Sequence, residues 1–234
     1  MSSSSRAYSS RYQLVKLASA GEEFLHQLMS KPQSRTQQAS SFSEVLGTAV
    51  SKFKEAYHQQ LTTVMYIAGA AMAPSLNARA STDKNAVEKL VVRLLPRPSS
   101  RSVMIGDVIA FNSPLSSSSS STPQNVLIRR VAAVEGDEML TGDETSASGE
   151  AAAAPMVVPA GNCWLLADNE KLPSSDVIDS RKFGFVPFSN IIGRVVYAAA
   201  SRTEHGRVRN NPLSEESDDA VVEQEVDKDK LFTV

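Results

Sequence analysis

The side chains that could perform nucleophilic chemistry in this chain of 234 residues are its serines, lysines, histidines and one cysteine. A serine hydroxyl attacks a carbonyl only when a neighbouring base takes its proton. Segment 69–77 reads GAAMAPSLN, and its only hydroxyl belongs to Ser75, directly after Pro74. Lys84 and Lys89 follow in the sequence, but no motif supports either as the base. We therefore interpret Ser75 as a turn or capping hydroxyl, and as a nucleophile only in second place.

The remaining reactive residue types are scattered. The single cysteine, Cys163, cannot form a disulfide within the chain and stands at a predicted strand start, which favours a structural thiol. His26, His58 and His205 lack the spacing of metal ligands, so the sequence predicts neither a metal site nor a cofactor. The net charge is −2 and the basic runs are short, which argues against nucleic acid as a partner.

Segment 69–77 resembles the serine motif G-x-S-M-x-P-[ST]-L of the type I signal peptidases, which include the mitochondrial inner-membrane protease. The residues that match the motif are Gly69, Met72, Pro74, Ser75 and Leu76. In that family the serine performs the attack, and Ala71 occupies its position here. A methyl group cannot attack a peptide carbonyl, so the resemblance implies a catalytically degenerate member.

Four further stretches resemble the same family in the same order, followed by a closing strand, IIGRVV. The matching stretches are IGDVIAFNSP at 105–114, LIRRVAAVEGD at 127–137, WLLADN at 164–169 and DSRKFGFVP at 179–187. With the serine motif they extend over roughly residues 66–199. Five ordered blocks are much more specific than one short motif.

The resemblance also implies which residue would be the general base. The family uses a serine–lysine dyad, in which burial lowers the pKa of the lysine from about 10.4 so that it can accept the serine proton. Arg129 occupies the lysine position. A guanidinium stays charged in proteins, so Arg129 cannot accept that proton.

The supporting positions are partly altered and partly retained. Ala167 replaces a glycine beside the lysine, and Val177 stands where a serine orients it, although a small shift in alignment would give that role to Ser175. The retained framework residues are Asp168, Asn169, Asp179, Ser180 and Arg181. The resemblance implies a structural ion pair between Arg181 and either Asp179 or Asp168.

These residues must be positioned by a mainly β fold. We expect a signal-peptidase-like core of coiled antiparallel sheets over 69–200, an N-terminal helix and disordered termini. Apolar residues at helical spacing predict an amphipathic helix over 41–68. Residues 1–40 are either a transit peptide or a disordered polar terminus, because they are rich in serine and have no acid before Glu22. Residues 201–234 read as an acidic flexible tail.

Segment 61–76 is the most apolar stretch, but it is shorter than the ~20 residues that a membrane-spanning helix needs. We therefore expect peripheral membrane contact at most. The partners implied by the resemblance are an active peptidase subunit or another organellar membrane complex, and extended peptides.

The resemblance leads to one preferred function and two alternatives. The preferred one is a non-catalytic accessory or scaffold subunit at an organellar inner membrane, with the mitochondrion favoured and the plastid as the alternative. A second is an active serine endopeptidase that processes signal peptides of imported precursors. A third is a peptide-binding module that uses an intact substrate groove.

Overall fold

The computed structural model describes residues 9–29, 42–115, 126–140, 155–173 and 175–232. The helices are α1 (Ser10–Met29), α2 (Phe42–His58), α3 (Ser180–Phe183), α4 (Pro212–Glu225) and α5 (Lys228–Leu231), with short 3-10 helices at Ala78–Ser81 and Phe188–Asn190. The strands are β1 (Thr62–Ala68), β2 (Val87–Leu94), β3 (Val108–Asn112), β4 (Val126–Val134), β5 (Glu138–Leu140), β6 (Pro155–Val157), β7 (Asn162–Leu166), β8 (Val186–Pro187), β9 (Ile191–Ala199) and β10 (His205–Arg207).

The chain divides into two compact units. The first contains residues 1–62 and 219–227, and the second contains residues 63–218 and 228–234. The range predicted for the β core, 69–200, falls within the second unit.

An eight-stranded sheet forms the second unit. Its strand order is β1-β2-β9-β3-β4-β7-β8, with β10 also paired to β9, while β5 and β6 form a separate ribbon. Strands β2, β3, β4, β7, β8, β9 and β10 pair antiparallel, with register shifts at Val91/Val92, Ala110/Phe111 and Val131/Ala133. Such bulges bend and twist strands. The predicted fold class, mainly β with antiparallel pairing and an N-terminal helix, is confirmed.

Two apolar cores pack on opposite faces of this sheet. Successive side chains of a strand point to opposite faces, and along β3 Val108 and Ala110 join one core while Ile109 and Phe111 join the other. The first four residues of this central strand are therefore all apolar rather than alternating with polar residues. Gly193 of β9 allows the close approach of β2, because a Cβ there would lie 2.1 Å from the carbonyl oxygen of Arg93.

The first unit contains helices α1 and α2, which pack against each other as a hairpin, and the C-terminal end of α4. Tyr12, Leu61, Ala220 and Val221 form its buried cluster. The Glu225 carboxylate accepts hydrogen bonds from the Tyr12 hydroxyl at 2.5 Å and from the Leu61 peptide at 2.9 Å. These contacts join α1, the segment after α2 and α4 in one unit.

The predicted helix over 41–68 is wrong in its second half. Helix α2 ends at His58, and Thr62–Ala68 is strand β1. Thr62, Thr63, Val64 and Ile67 are β-branched, which lowers helix propensity and suits a half-buried strand. Pairing with β2 then stabilises the extended form.

The predicted flexible tail over 201–234 is wrong for Pro212–Glu225, which forms α4. The helix begins after Asn211, whose side chain accepts a hydrogen bond from the Leu213 peptide at 3.1 Å. An asparagine cap followed by proline is a favourable helix start. Burial of Asp218 and Val221 anchors the helix despite its acidic composition.

Residues Ser10–Met29 of the segment predicted to be a polar terminus form helix α1. The rest of that segment, residues 1–8 and 30–40, lies outside the described residues. Among the helices that the structure describes, none combines the length and apolarity required to cross a bilayer.

Candidate functional site

Segment 69–77, which resembles the family's serine motif, forms a loop directly after β1. Gly69 begins it with a φ of +78°, a conformation that glycine adopts without strain. Met72 and Leu76 are buried in the core that also contains Ile128, so Met72 is a core residue. Ala71 is half-buried, whereas Pro74 and Ser75 are exposed.

Asn77 stabilises the loop through hydrogen bonds to its first residue and to the segment that follows it. The sequence patterns did not indicate a role for this residue. Its amide nitrogen donates to the carbonyl of Gly69 at 3.1 Å and to that of Ala86 at 2.9 Å. Its peptide N–H donates to the buried Glu88 carboxylate. Burial raises the pKa of Glu88 above its ordinary value, against the opposing effect of the Asn77 hydrogen bond. The left-handed backbone of Asn77, with φ of 50°, suits asparagine better than most residues.

Asn169 is hydrogen-bonded to the loop at Ala70 and Ala71. Its peptide N–H donates to the carbonyl of Ala71 at 3.0 Å, and its side chain donates to the carbonyl of Ala70 at 2.7 Å. The structure therefore brings Asn169 into direct contact with Ala71, the residue at which the resemblance places the nucleophile.

Arg129 lies in β4 with 6% of its surface exposed. Its Nε donates to the carbonyl of Ile178 at 2.9 Å, and its Nη1 donates to the carbonyl of Ile128 at 2.6 Å. Burial lowers the pKa of Arg129, while the charges of Asp179 and Asp168 act in the opposite direction. An arginine starts so far above neutral pH that it remains a cation in this position.

Each neighbouring carboxylate is engaged by another arginine. Asp168 accepts two hydrogen bonds from Arg130, at 2.9 and 2.6 Å. Asp179 pairs with Arg181 at 2.7 Å and also accepts from the Ala167 peptide at 3.2 Å. Of the two ion pairs suggested by the resemblance, the structure contains Asp179–Arg181; Asp168 pairs with Arg130 instead.

The Asp179 carboxylate stabilises the loop that carries it. Burial alone would raise the pKa of Asp179, but hydrogen bonds from Arg181 and Ala167 outweigh it and hold this pKa below the ordinary value. The bond from Ala167 uses a peptide N–H, which any residue except proline could supply at that position.

Ser180 and the two candidates for the lysine-orienting serine have local roles. The Ser180 hydroxyl accepts a hydrogen bond from the Leu165 peptide at 2.9 Å and is buried. Val177 is buried next to Ile178, the residue whose carbonyl accepts from Arg129. Ser175 is exposed, and its hydroxyl contacts Asp176 at 2.9 Å. Val177 is adjacent in sequence to Ile178, which contacts Arg129, whereas Ser175 lies further from Ile178 in the sequence.

Ser75 lines a groove to which neither Ala71 nor Arg129 contributes. This groove has a volume of about 770 Å³ and is also lined by Glu88, Arg130, His205 and Arg209, among others. Neither Lys84 nor Lys89 lines it, and Lys89 instead donates to the carbonyl of Leu231. Nδ1 of His205 is engaged by the Tyr197 hydroxyl at 2.6 Å.

Cys163 is buried in the second core, and burial raises its pKa to about 12. A thiol with so high a pKa is a poor nucleophile at neutral pH. Within the described part of the chain, no three histidine, cysteine, aspartate or glutamate side chains are grouped as metal ligands would be.

Comparison with known proteins places this site in a family. The family model described as Signal peptidase, peptidase S26, matches residues 138–199. The chain is 32% identical over 178 residues to the Mitochondrial ATP-independent inner membrane protease subunit 2 of Arabidopsis thaliana, covering 76% of this chain and 77% of that protein.

Two shorter matches agree with this one. The chain is 33% identical to the Mitochondrial inner membrane protease subunit 1 of Mus musculus and 34% identical to that of Homo sapiens, each over 107 residues. Each alignment covers 46% of this chain and 56% of the relative.

The family match contains the segment that fastens the motif loop and the Asp179–Arg181 pair. Similarity to the Arabidopsis protein extends over about three quarters of both chains. The chain therefore belongs to the signal peptidase family, peptidase S26.

Proposed function

We propose that this chain is a non-catalytic member of its family, which acts as an accessory, scaffold or peptide-binding subunit at an organellar inner membrane. One observation supports the proposal: Ala71 stands where the family resemblance places the nucleophile, and the buried Arg129 stands where it places the base. Neither group can perform the proton transfer and attack of a serine–lysine dyad.

Retention of the surrounding framework supports a role that needs the folded domain. Asn169 still holds the Ala71 loop, and Asp168 and Asp179 still form ion pairs. A subunit that binds peptides or positions an active peptidase would require this architecture without its chemistry. The relatives are named as subunits of inner membrane proteases, which favours an active peptidase subunit as the partner.

The membrane location rests on the names of the relatives and on helix α1. At 100° per residue, Leu14, Leu17, Leu25 and Leu28 fall on one face. All four are exposed, as is Met29, while Tyr12, Lys16 and Ala20 occupy the buried side. Residues 1–43 contain five lysines and arginines against two acids. An apolar helix face among basic segments suits an anionic membrane surface.

The mitochondrion is the organelle we favour, and the plastid is the alternative. Residues 1–40 have a transit-peptide-like composition. However, Tyr12 of α1 contacts Glu225 in the folded first unit, which favours retention of residues 10–29 in the mature protein.

Cleavage assays test the non-catalytic role. We expect the purified full chain to leave presequence peptides intact and to resist labelling by a fluorophosphonate, and Ser75→Ala to change neither result. The double variant Ala71→Ser with Arg129→Lys should gain measurable cleavage, because it restores both reacting groups. Ala71→Ser alone is the matched control, since it lacks a base. Hydrolysis by the unaltered chain would refute the proposal.

The second candidate is an active serine endopeptidase that processes imported precursors. The observation in its favour is that Ser75 is exposed and lines the same groove as His205 and Glu88. It predicts cleavage that Ser75→Ala abolishes and Ala71→Ser leaves unchanged. Mass spectrometry of the peptide products decides between the two functions.

A further inference from the structure

The groove beside Ser75 is lined by two stretches of chain that both belong to the second unit. One is segment 74–79, and the other is segment 204–210, which contains β10. The part that is paired along β9, residues 204–208, extends over about 16 Å at about 3.3 Å per residue. A groove of about 770 Å³ with a wall of this length has room for a short extended peptide.

Strand β10 lines this groove and has one edge to which another strand could add. It pairs antiparallel with β9 and with no other strand that the structure describes. Towards β9, the Glu204 carbonyl accepts a hydrogen bond at 2.9 Å and the Val208 peptide donates one at 3.1 Å. In such a pair the backbone groups of the intervening residues point to the other edge. The backbone groups of 205 and 207 are therefore directed away from β9, where an added strand would lie.

The groove carries more positive than negative charge. Its titratable lining consists of four arginines, one histidine and two glutamates: Arg79, Arg130, Arg207, Arg209, His205, Glu88 and Glu204. Glu204 is paired with Arg79 at 2.5 Å, and Glu88 is buried. Even when Asp168 is counted, which pairs with Arg130, four guanidinium groups stand against three carboxylates. The exposed side chain of Arg209 makes no hydrogen bond or ion pair with the described residues.

The basic residues of the β10 wall stand at alternate positions. They are His205, Arg207 and Arg209, and all three are exposed. Side chains two residues apart in a strand share a face. Opposite charges on neighbouring strands stabilise the pairing, and like charges destabilise it. The charge pattern therefore favours an added strand that carries acidic side chains at every second position.

We propose that this groove binds an acidic, extended peptide segment, which adds as a strand to the edge of β10 and places its carboxylates beside Arg207 and Arg209. Backbone hydrogen bonds supply affinity, and the guanidinium groups select for acidic side chains. Ala71 and Arg129 do not line this groove. The inference gives the peptide-binding role within the proposed function a location and a class of ligand, and it rests on that role.

Binding of labelled peptides to the full chain tests the selection for acidic side chains. The probes are N-terminally fluorescein-labelled octapeptides that alternate threonine with glutamate, with glutamine or with lysine. Fluorescence anisotropy should show the glutamate peptide binding about tenfold more tightly than the glutamine peptide, and the lysine peptide binding most weakly, as expected for several cross-strand pairs of opposite charge. Equal binding of the glutamate and glutamine peptides would overturn the proposal.

Backbone methylation of the glutamate peptide tests strand addition. In an added strand only every second residue directs its N–H to β10. Peptides N-methylated at every threonine or at every glutamate should therefore differ in affinity by about tenfold, because one series loses the donors that pair with β10 and the other does not. Equal affinities of the two methylated series would rule out strand addition.

Charge reversal identifies the residue responsible. Arg209→Glu should weaken binding of the glutamate peptide at least about fivefold and strengthen binding of the lysine peptide. Arg101→Glu is the matched control, because Arg101 is an exposed arginine that does not line the groove. Equal effects of the two variants would show general charge attraction and refute the site. If Arg209→Glu does not fold, the peptide series on the unaltered chain still decides.

Competition separates a peptide site from a simple anion site. Inorganic phosphate at about 10 mM, added at constant ionic strength, should leave the glutamate peptide bound, because phosphate offers no backbone groups to β10. Displacement by phosphate to the level of the glutamine peptide would overturn the proposal.

The failure of this inference differs from the failure of the proposed function. Glutamate peptide that fails to bind at about 1 mM, and stays intact by mass spectrometry, refutes only the groove and leaves the scaffold role in place. Cleavage of the peptides refutes the non-catalytic role itself.

Discussion

Arg129 and Ala71 stand where the family resemblance places the base and the nucleophile, and the residues around them have structural roles. Asn169 fixes the loop of Ala71, and Ser180 supports the peptide of Leu165. A lysine buried like Arg129 could become neutral, but an arginine keeps its charge and must be accommodated by acceptors. The two carbonyls that bind Arg129 therefore stabilise a permanent cation.

Glu88 offers a test of the electrostatics at the base of the loop. Because burial raises its folded pKa above the unfolded value of 4.5, the ionised form costs stability above the folded pKa, and the cost is absent below the unfolded pKa. Glu88→Gln should therefore raise the free energy of unfolding at pH 7 and leave it unchanged near pH 4. Urea titrations at the two pH values measure both quantities.

Glu170→Gln is the matched control, since Glu170 is an exposed glutamate in the same unit. It should change the free energy of unfolding by less than about 0.5 kcal/mol at either pH. A Glu88→Gln variant that is less stable than the unaltered chain at pH 7 would contradict the sign of the argument.

At the level of elements, strands position the residues of the candidate site, and helix α1 has an exposed apolar face. Strand β1 delivers the Ala71 loop, β4 carries Arg129 and Arg130, and the segment after β7 carries Asp168 and Asn169. The leucines of helix α1 are exposed because the opposite face of the helix, which contains Tyr12, packs inside the first unit.

The exposed face of α1 should bind membranes. The double change Leu17→Glu with Leu25→Glu removes apolar area from this face and adds charges that an anionic surface repels. We expect the full chain to float with vesicles of phosphatidylcholine and an anionic phospholipid, and the variant to remain in the soluble fraction. Vesicle flotation with quantification of bound protein measures the effect.

Leu213→Glu is the control for this experiment, because Leu213 is 63% exposed but lies on α4 in the second unit. It should float like the unaltered chain. Flotation of the α1 double variant at the level of the control would rule out this face. Self-association that only the α1 variant abolishes, without vesicle binding, would assign the face to a second copy instead.

At the level of the whole molecule, the acidic C-terminal segment is part of the fold. Asp218 in α4 pairs with Arg194 of β9 at 3.0 Å, and Arg194 also lies 3.1 Å from Asp107. The hydroxyl of Ser214, one turn earlier, donates to Asp107 at 2.9 Å. This buried network joins α4 to the sheet within the second unit.

Asp218→Asn should destabilise the second unit, but by less than the roughly 3–5 kcal/mol that an unpaired buried charge costs. The guanidinium of Arg194 keeps Asp107 as a partner, and burial raises the pKa of Asp218, so that loss of the ion pair is partly offset by removal of a buried charge. Urea unfolding monitored by Trp164 fluorescence measures the loss.

Glu216→Gln serves as its control, since Glu216 is an exposed acid on the same helix. It should alter the free energy of unfolding by less than about 0.5 kcal/mol. If the two variants were equally stable, the acidic segment would contribute nothing to the stability of the fold, as expected for a flexible tail.

The sequence by itself determined the family, the fold class and the side-chain chemistry available at Ala71 and Arg129. These follow from short ordered motifs and from side-chain chemistry, which are local properties: a methyl cannot be a nucleophile, and a guanidinium cannot be a base, whatever surrounds them.

The tertiary structure alone decided which partners these residues have. Residues 62–68 continue an apolar helical pattern in sequence, and only pairing with β2 makes them a strand. The acids of 215–219 look like a solvated run, and only burial beside Arg194 makes Asp218 structural. Arg130 rather than Arg181 binds Asp168, and Asn77 holds the loop of Ala71. Contacts between residues far apart in the chain depend on how the sheet brings them together, which local patterns do not encode.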